Sequence, residues 1–149
     1  MSQHVASQII AAVETRLAAV ASVHIVPLSA VPLESLPAIL IEDIEDETTQ
    51  ALGPGPVQEI HRLSFEIFGC IAAVSGFQTT AGTLRTDIEK ALLAAANDVR
   101  LGGLCRPGLS RTSAVFRHDA ESLQKPVGGW SMKFVCTYQL KTDAPDLAI

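Results

Sequence analysis

Aromatic residues, cysteines and bases are all scarce in this chain, and each shortage excludes something. One Trp, one Tyr and five Phe in 149 residues leave no aromatics interleaved with basic residues, the usual pattern of a nucleic-acid-binding surface. Three cysteines, Cys70, Cys105 and Cys136, lie far apart without a CxxC pair. That spacing argues against a disulfide framework or a zinc knuckle and leaves buried reduced thiols as the reading. Eleven Lys and Arg against sixteen Asp and Glu give a net charge of −5, which opposes general affinity for nucleic acid or anionic membrane. No stretch reaches the ~20 uncharged apolar residues that span a bilayer. The opening "MSQHVASQIIAAVETRLAAVA" has no basic lead, and Glu14 and Arg16 interrupt it. It reads as neither signal peptide nor membrane span, so the chain is expected in the cytoplasm.

Signatures of catalysis are missing too. There is no Walker-type, GxGxxG or GxSxG sequence. The "GPGP" at 53–56 is no phosphate cradle, because two of its four positions lack the backbone N–H that such a loop offers. His4, His24, His61 and His118 are scattered. Only His118, in "RHD", adjoins an acid, and neighbours on a strand point to opposite faces. It reads as a solvated or hydrogen-bonded imidazole. No catalytic residue, metal ligand or cofactor is expected.

What is present is enough apolar sequence for one domain. Apolar residues make up 48% of the chain and mean hydropathy is positive, so a core can form without staples. The domain is expected over 1–141, with 142–149, "TDAPDLAI", as a flexible tail. Val5, Ile9, Val13, Leu17 and Val20 predict a first amphipathic helix over roughly Ser2 to Ala21, capped by Ser2. "SVHIVPL" predicts a short strand ended by Pro27. "AILIEDIEDET" and "EIHRLSFEIFGCIA" predict two strands joined by "QALGPGPVQ", a flexible tip. In the first, Ile39, Leu40 and Ile41 read as buried on both faces, with Ile44 in phase with Leu40. In the second, Leu63, Phe65 and Ile67 face one way and Arg62, Ser64 and Glu66 the other.

A second helix is predicted from Thr79 or Thr80, with Leu84, Ile88, Leu92 and Ala95 as its stripe and Gly102 as its left-handed end. "SRTSAVFRHDAES" predicts another strand and "QKPVGG" a turn. The last strand, "WSMKFVCTYQLK", puts Trp130, Met132, Phe134, Cys136, Tyr138 and Leu140 on one face, where they read as core. The expected fold is α+β: a mostly antiparallel sheet with two helices packed on one face and a long projecting β-hairpin.

The charge is unevenly spread. "EDIEDE" at 42–47 holds five acids, whereas the charged residues between Val99 and His118 are Arg100, Arg106, Arg111 and Arg117. On a regular strand Asp43, Glu45 and Glu47 would share one face, and Glu42 and Asp46 the other. The run reads first as a solvated strand end that resists aggregation, second as a protein-binding face. Third comes an oxygen-ligated divalent-cation or catalytic site.

Taken in order, "LPAILIEDIEDET", "HRLSFEIFGCIA", "LRTDIEKALLAA", "SAVFRHDAES" and "GWSMKFVCTYQ", after an amphipathic helix, resemble a known family. They are similar to the small tail-terminator and tail-completion proteins of long-tailed bacteriophages, of the lambda minor tail protein U type, over roughly residues 5 to 140. Head–tail connector and neck proteins share much of this pattern. The resemblance implies a structural protein, not an enzyme, that forms a homo-oligomeric ring, usually hexameric. The ring caps the tail tube protein, ends tail polymerisation and offers a surface to the head–tail connector. Its expected location is the host cytoplasm during assembly and then the virion tail, without membrane or sequence-specific nucleic-acid partners. The family carries no residue motif. From charge alone, Glu42, Asp43, Glu45, Asp46 and Glu47 of one subunit are expected near Arg106, Arg111 or Arg117 of the next. The alternative is that the acids line the ring's channel and repel passing DNA.

Overall fold

The computed structural model describes residues 3–25, 36–53, 57–72, 77–94, 97–118 and 127–149. Helix α1 spans Val5–Leu17, β1 Ser22–His24, β2 Ala38–Leu52, β3 Gln58–Ala72, α2 Phe77–Leu93, β4 Ser110–His118, β5 Val127–Lys141 and β6 Ala144–Ala148. The strands form one sheet in the order β1-β2-β3-β5-β4, and β6 joins the outer end of β5. All pairings are antiparallel except β1 on β2. The class is α+β, with β2 and β3 as a long hairpin.

Both helices lie on one face of the sheet. Val5, Ile9, Val13 and Leu17 of α1 and Leu84, Ile88 and Leu92 of α2 are buried there. They share a core with Ile39 and Ile41, with Leu63, Phe65 and Ile67, and with Met132, Phe134, Cys136, Tyr138 and Leu140. The period of two on β5 and of three to four on the helices thus meets in one layer. Phe65 and Phe134 stack at 6.1 Å. Gly69 lets α2 approach closely, since a Cβ there would stand 3.0 Å from Ile88 and 3.1 Å from Leu84. The opposite face has a smaller cluster of Ala38, Leu40, Phe68, Cys70 and Val127.

Several expectations need correction. Residues 142–149 are not a loose tail. Ala144–Ala148 pair with β5, Ile149 N donates to Gln139 O at 2.9 Å, and Gln8 Nε2 donates to Asp146 O at 2.7 Å. His4 caps α1, its Nδ1 accepting from Ala6 N at 3.1 Å; Ser2 lies outside the described residues. Helix α2 begins at Phe77 and ends at Leu93. Gly102 (φ +72°) instead belongs to a later turn, where its N–H and that of Arg100 donate to Asp98 at 2.8 and 2.9 Å. Those two bonds hold the Asp98 carboxyl below the usual carboxylate range. Val127, Gly128 and Gly129, expected in a turn, already belong to β5. Ala95, the tip at 54–56 and the whole of "DAESLQKP" lie outside the described residues.

Candidate functional site

The phase of the acid run is set by a bulge. Glu42 pairs with Glu66 but Glu45 pairs with Ser64, so β2 carries one extra residue between them. Asp43 absorbs it in left-handed backbone, φ +48°, a conformation that Asp tolerates better than most side chains. Beyond the bulge the alternation is shifted by one. Ile44 and Asp46 now face α1 across an open groove also lined by Ala6, Ile10 and Leu63. Asp43, Glu45 and Glu47 face the opposite side with Ser64 and Lys133. The expectation that Asp46 shares a face with Glu42, and Ile44 with Leu40, is therefore overturned. A strand-period argument cannot see an inserted residue.

Asp46 is one of two acids of the run that side chains of the same chain hold, Glu42 being the other. Its Oδ2 accepts from Tyr138 Oη at 2.6 Å and its Oδ1 lies 3.2 Å from His61 Nδ1. His61 Nε2 lies 3.1 Å from Glu59 Oε1. The imidazole is 7% exposed and stacks on Tyr138 at 4.8 Å, while His4 meets Tyr138 edge-on at 6.2 Å. Carboxylates only accept, so both His61 contacts are hydrogen bonds when the ring carries both N–H groups. Burial first, then the bond to Asp46 and its charge, push the Tyr138 phenol well above its ordinary range. This cluster ties the projecting part of the hairpin to β5 and the start of α1. His61 was absent from the sequence-based candidates. A signal for it exists: it is in phase with Leu63, Phe65 and Ile67, which puts a histidine on the core face.

The opposite face holds the remaining acids. Arg117 reaches across from β4, lies 4.2 Å above the Phe68 ring and pairs with Glu42 at 3.0 Å. Arg111 pairs with Glu89 of α2 at 3.0 Å. These two arginines thus find acids within their own chain. Arg106 is exposed and forms no ion pair among the described residues. Glu66 sits beside Asp43. Desolvation foremost, then the Asp43 charge and hydrogen bond and the Glu42 charge, raise its carboxyl above the usual range, against the pull of Arg117.

Among the described residues no group of three or more His, Cys, Asp or Glu side chains stands together as a metal site. The described residues contain no helix long and apolar enough to cross a membrane. Cys70, Cys105 and Cys136 are buried free thiols, and a Cys105–Cys136 hydrogen bond lowers the first and raises the second. No family model matches the chain, and no curated protein matches it.

Proposed function

We propose that the chain is a structural assembly protein of the tail-terminator kind: copies close into a ring that caps a phage or prophage tail tube and meets the head connector. The observation that carries this reading is the division of charge between the two edges of one sheet. Along β2, Glu42, Asp43, Glu45, Asp46 and Glu47 take five of six consecutive positions, and 43–51 are all exposed. Along the other edge, Arg106 precedes β4, which carries Arg111 and Arg117 and no acid. A ring needs heterologous contacts, in which one patch meets a different patch on the next copy. Unlike edges of one sheet suit that requirement. Exposed charge pairs contribute ~0–1 kcal/mol each, so they set register and partner choice, while apolar and backbone contacts supply most of the adhesion.

The test has two arms. Native mass measurement and negative-stain electron microscopy of the purified chain are expected to show a closed ring of one stoichiometry. Added to polymerising tail-tube protein, that ring is expected to shorten the tubes and sit at their ends. Tubes of unchanged length without end density would refute the capping role. Replacing Glu42, Asp43, Glu45, Asp46 and Glu47 with the amides should weaken the ring and flatten its salt dependence. A preserved ring that now retains DNA would move the acids to the channel.

A further inference from the structure

Three observations meet under the turn at residues 98–109 that leads into β4. The first is a pair of thiols. Arg106 N donates to Thr137 O at 2.9 Å, which lays the end of the turn along β5 and brings Cys105 beside Cys136. The two belong to one core cluster, at 1% and 2% exposed, and a hydrogen bond joins them. Cys70 has no access to this pair. It lies in the smaller cluster on the other face of the sheet and is in register with Gly129, well down β5 from Cys136.

The second observation is a stranded cation. Arg16, in the last turn of α1, has its Nη1 buried with no hydrogen-bond partner among the described residues. Native structures nearly always give a buried N–H an acceptor. The charge of this guanidinium acts on Asp98 and on Cys105, so an anionic sulfur at Cys105 would answer it. The third is how the pair divides its protons. The hydrogen bond with Cys136 foremost, and the Arg16 charge after it, hold the Cys105 thiol below its ordinary range, against burial and the Asp98 charge. The same bond, then burial, push Cys136 well above its own. Cys105 is the thiol that ionises and Cys136 the one that donates.

We infer that Cys105 and Cys136 form a peroxide-sensitive dithiol, which closes to a disulfide and staples the turn at 98–109 to β5. The thiolate is the attacking species in such chemistry. The Cys105 sulfur bonds to one peroxide oxygen and the O–O bond breaks. The departing hydroxide takes up the proton that Cys105 released and becomes water, and Cys105 is left as a sulfenic acid. The Cys136 sulfur then attacks the Cys105 sulfur. An S–S bond forms, the S–O bond breaks, and the hydroxide leaves with the Cys136 proton as a second water. The thiols are oxidised and the peroxide is reduced, with no further reactant. Both sulfurs are covered, so peroxide enters when the turn opens locally, against the bonds from Cys105 N to Arg100 O at 3.2 Å and from Leu109 N to Val99 O at 2.8 Å. The inference is independent of the ring reading.

Peptide mapping tests it. The folded chain is exposed to hydrogen peroxide over a pH series, alkylated in denaturant and mapped by mass spectrometry. A Cys105–Cys136 cross-link is expected to form before Cys70 is modified, and a dithiol reductant should reverse it. In Cys136→Ser the reaction should stop at a Cys105 sulfenic acid, which dimedone captures. Arg16→Gln should slow the cross-linking about threefold or more at neutral pH and move its pH profile upward, and Arg16→Lys should restore most of both. Circular dichroism verifies that each variant is folded. Oxidation of Cys70 ahead of the pair would overturn the dithiol, as would a denatured chain that forms the same link as fast as the folded one. A pH profile unmoved in Arg16→Gln, with the link still forming, would overturn the part given to Arg16.

Discussion

Between Ala38 and Ile41, β2 is buried on both faces, whereas from Asp43 to Ala51 the same strand on the same neighbour is exposed at every residue. The ladder of hydrogen bonds is continuous apart from its bulges, so backbone pairing does not distinguish the two halves. Their surroundings do. The inner half lies between the helix layer and the Leu40–Phe68 cluster and draws its stability from apolar area. The outer half has no such cover, and what fastens it is the chain of contacts from Tyr138 through Asp46 and His61 to Glu59. One hairpin thus joins a rigid root to an arm with its own smaller free energy of opening, a division suited to a surface that settles on a partner.

The comparison can be broken at its root. Phe65→Ala leaves a cavity against Phe134 and is expected to cost about 3–5 kcal/mol, read as a fall in the denaturation midpoint. Gly69→Val drives a branched side chain into Ile88 and Leu84 and should cost about 1–3 kcal/mol. Here the loss of protection in hydrogen exchange should centre on α2.

The arm responds differently. Tyr138→Phe removes the donor to Asp46 and is expected to cost about 1–2 kcal/mol, with faster amide exchange at 43–52 and 58–62 and little change at 65–71. It also alters alkaline behaviour. The folded phenol holds its proton above the ordinary ~10 of tyrosine, so the unfolded chain ionises first. The stability this provides is fully present below about pH 10 and is lost as pH rises beyond it. The Phe variant should lack that part of the alkaline loss.

The smallest effect has the opposite sign. The folded Glu66 carboxyl lies above its usual range, so its protonated form is the favoured one, and the benefit is present below about pH 4 and lost as pH rises. At pH 7 Glu66→Gln should therefore stabilise the isolated chain, by less than about 1 kcal/mol, and the difference should vanish in acid. A side chain that costs the monomer stability yet faces a groove fits a group kept for contact.

Much of the body was legible in the sequence because its signals are periodic. Trp130 to Leu140 alternate without interruption, and Leu84, Ile88 and Leu92 keep a helical step, so the faces of β5 and α2 follow directly. The arm was not legible in the same way. One extra residue at Asp43 reverses the phase of β2 as far as a second register shift between Thr48 and Gln50. The partners of Asp46 stand 15 and 92 positions away, beyond any local pattern. The tail at 142–149 was misread because its composition suggests disorder, whereas backbone bonds to the end of β5 and to Gln8 hold it.

Native mass spectrometry of the unaltered chain from nanomolar to tens of micromolar, at low and high salt, tests the central claim most directly. The account predicts a single closed species of fixed stoichiometry, which dissociates as salt rises. A mass of one chain throughout that range would contradict it.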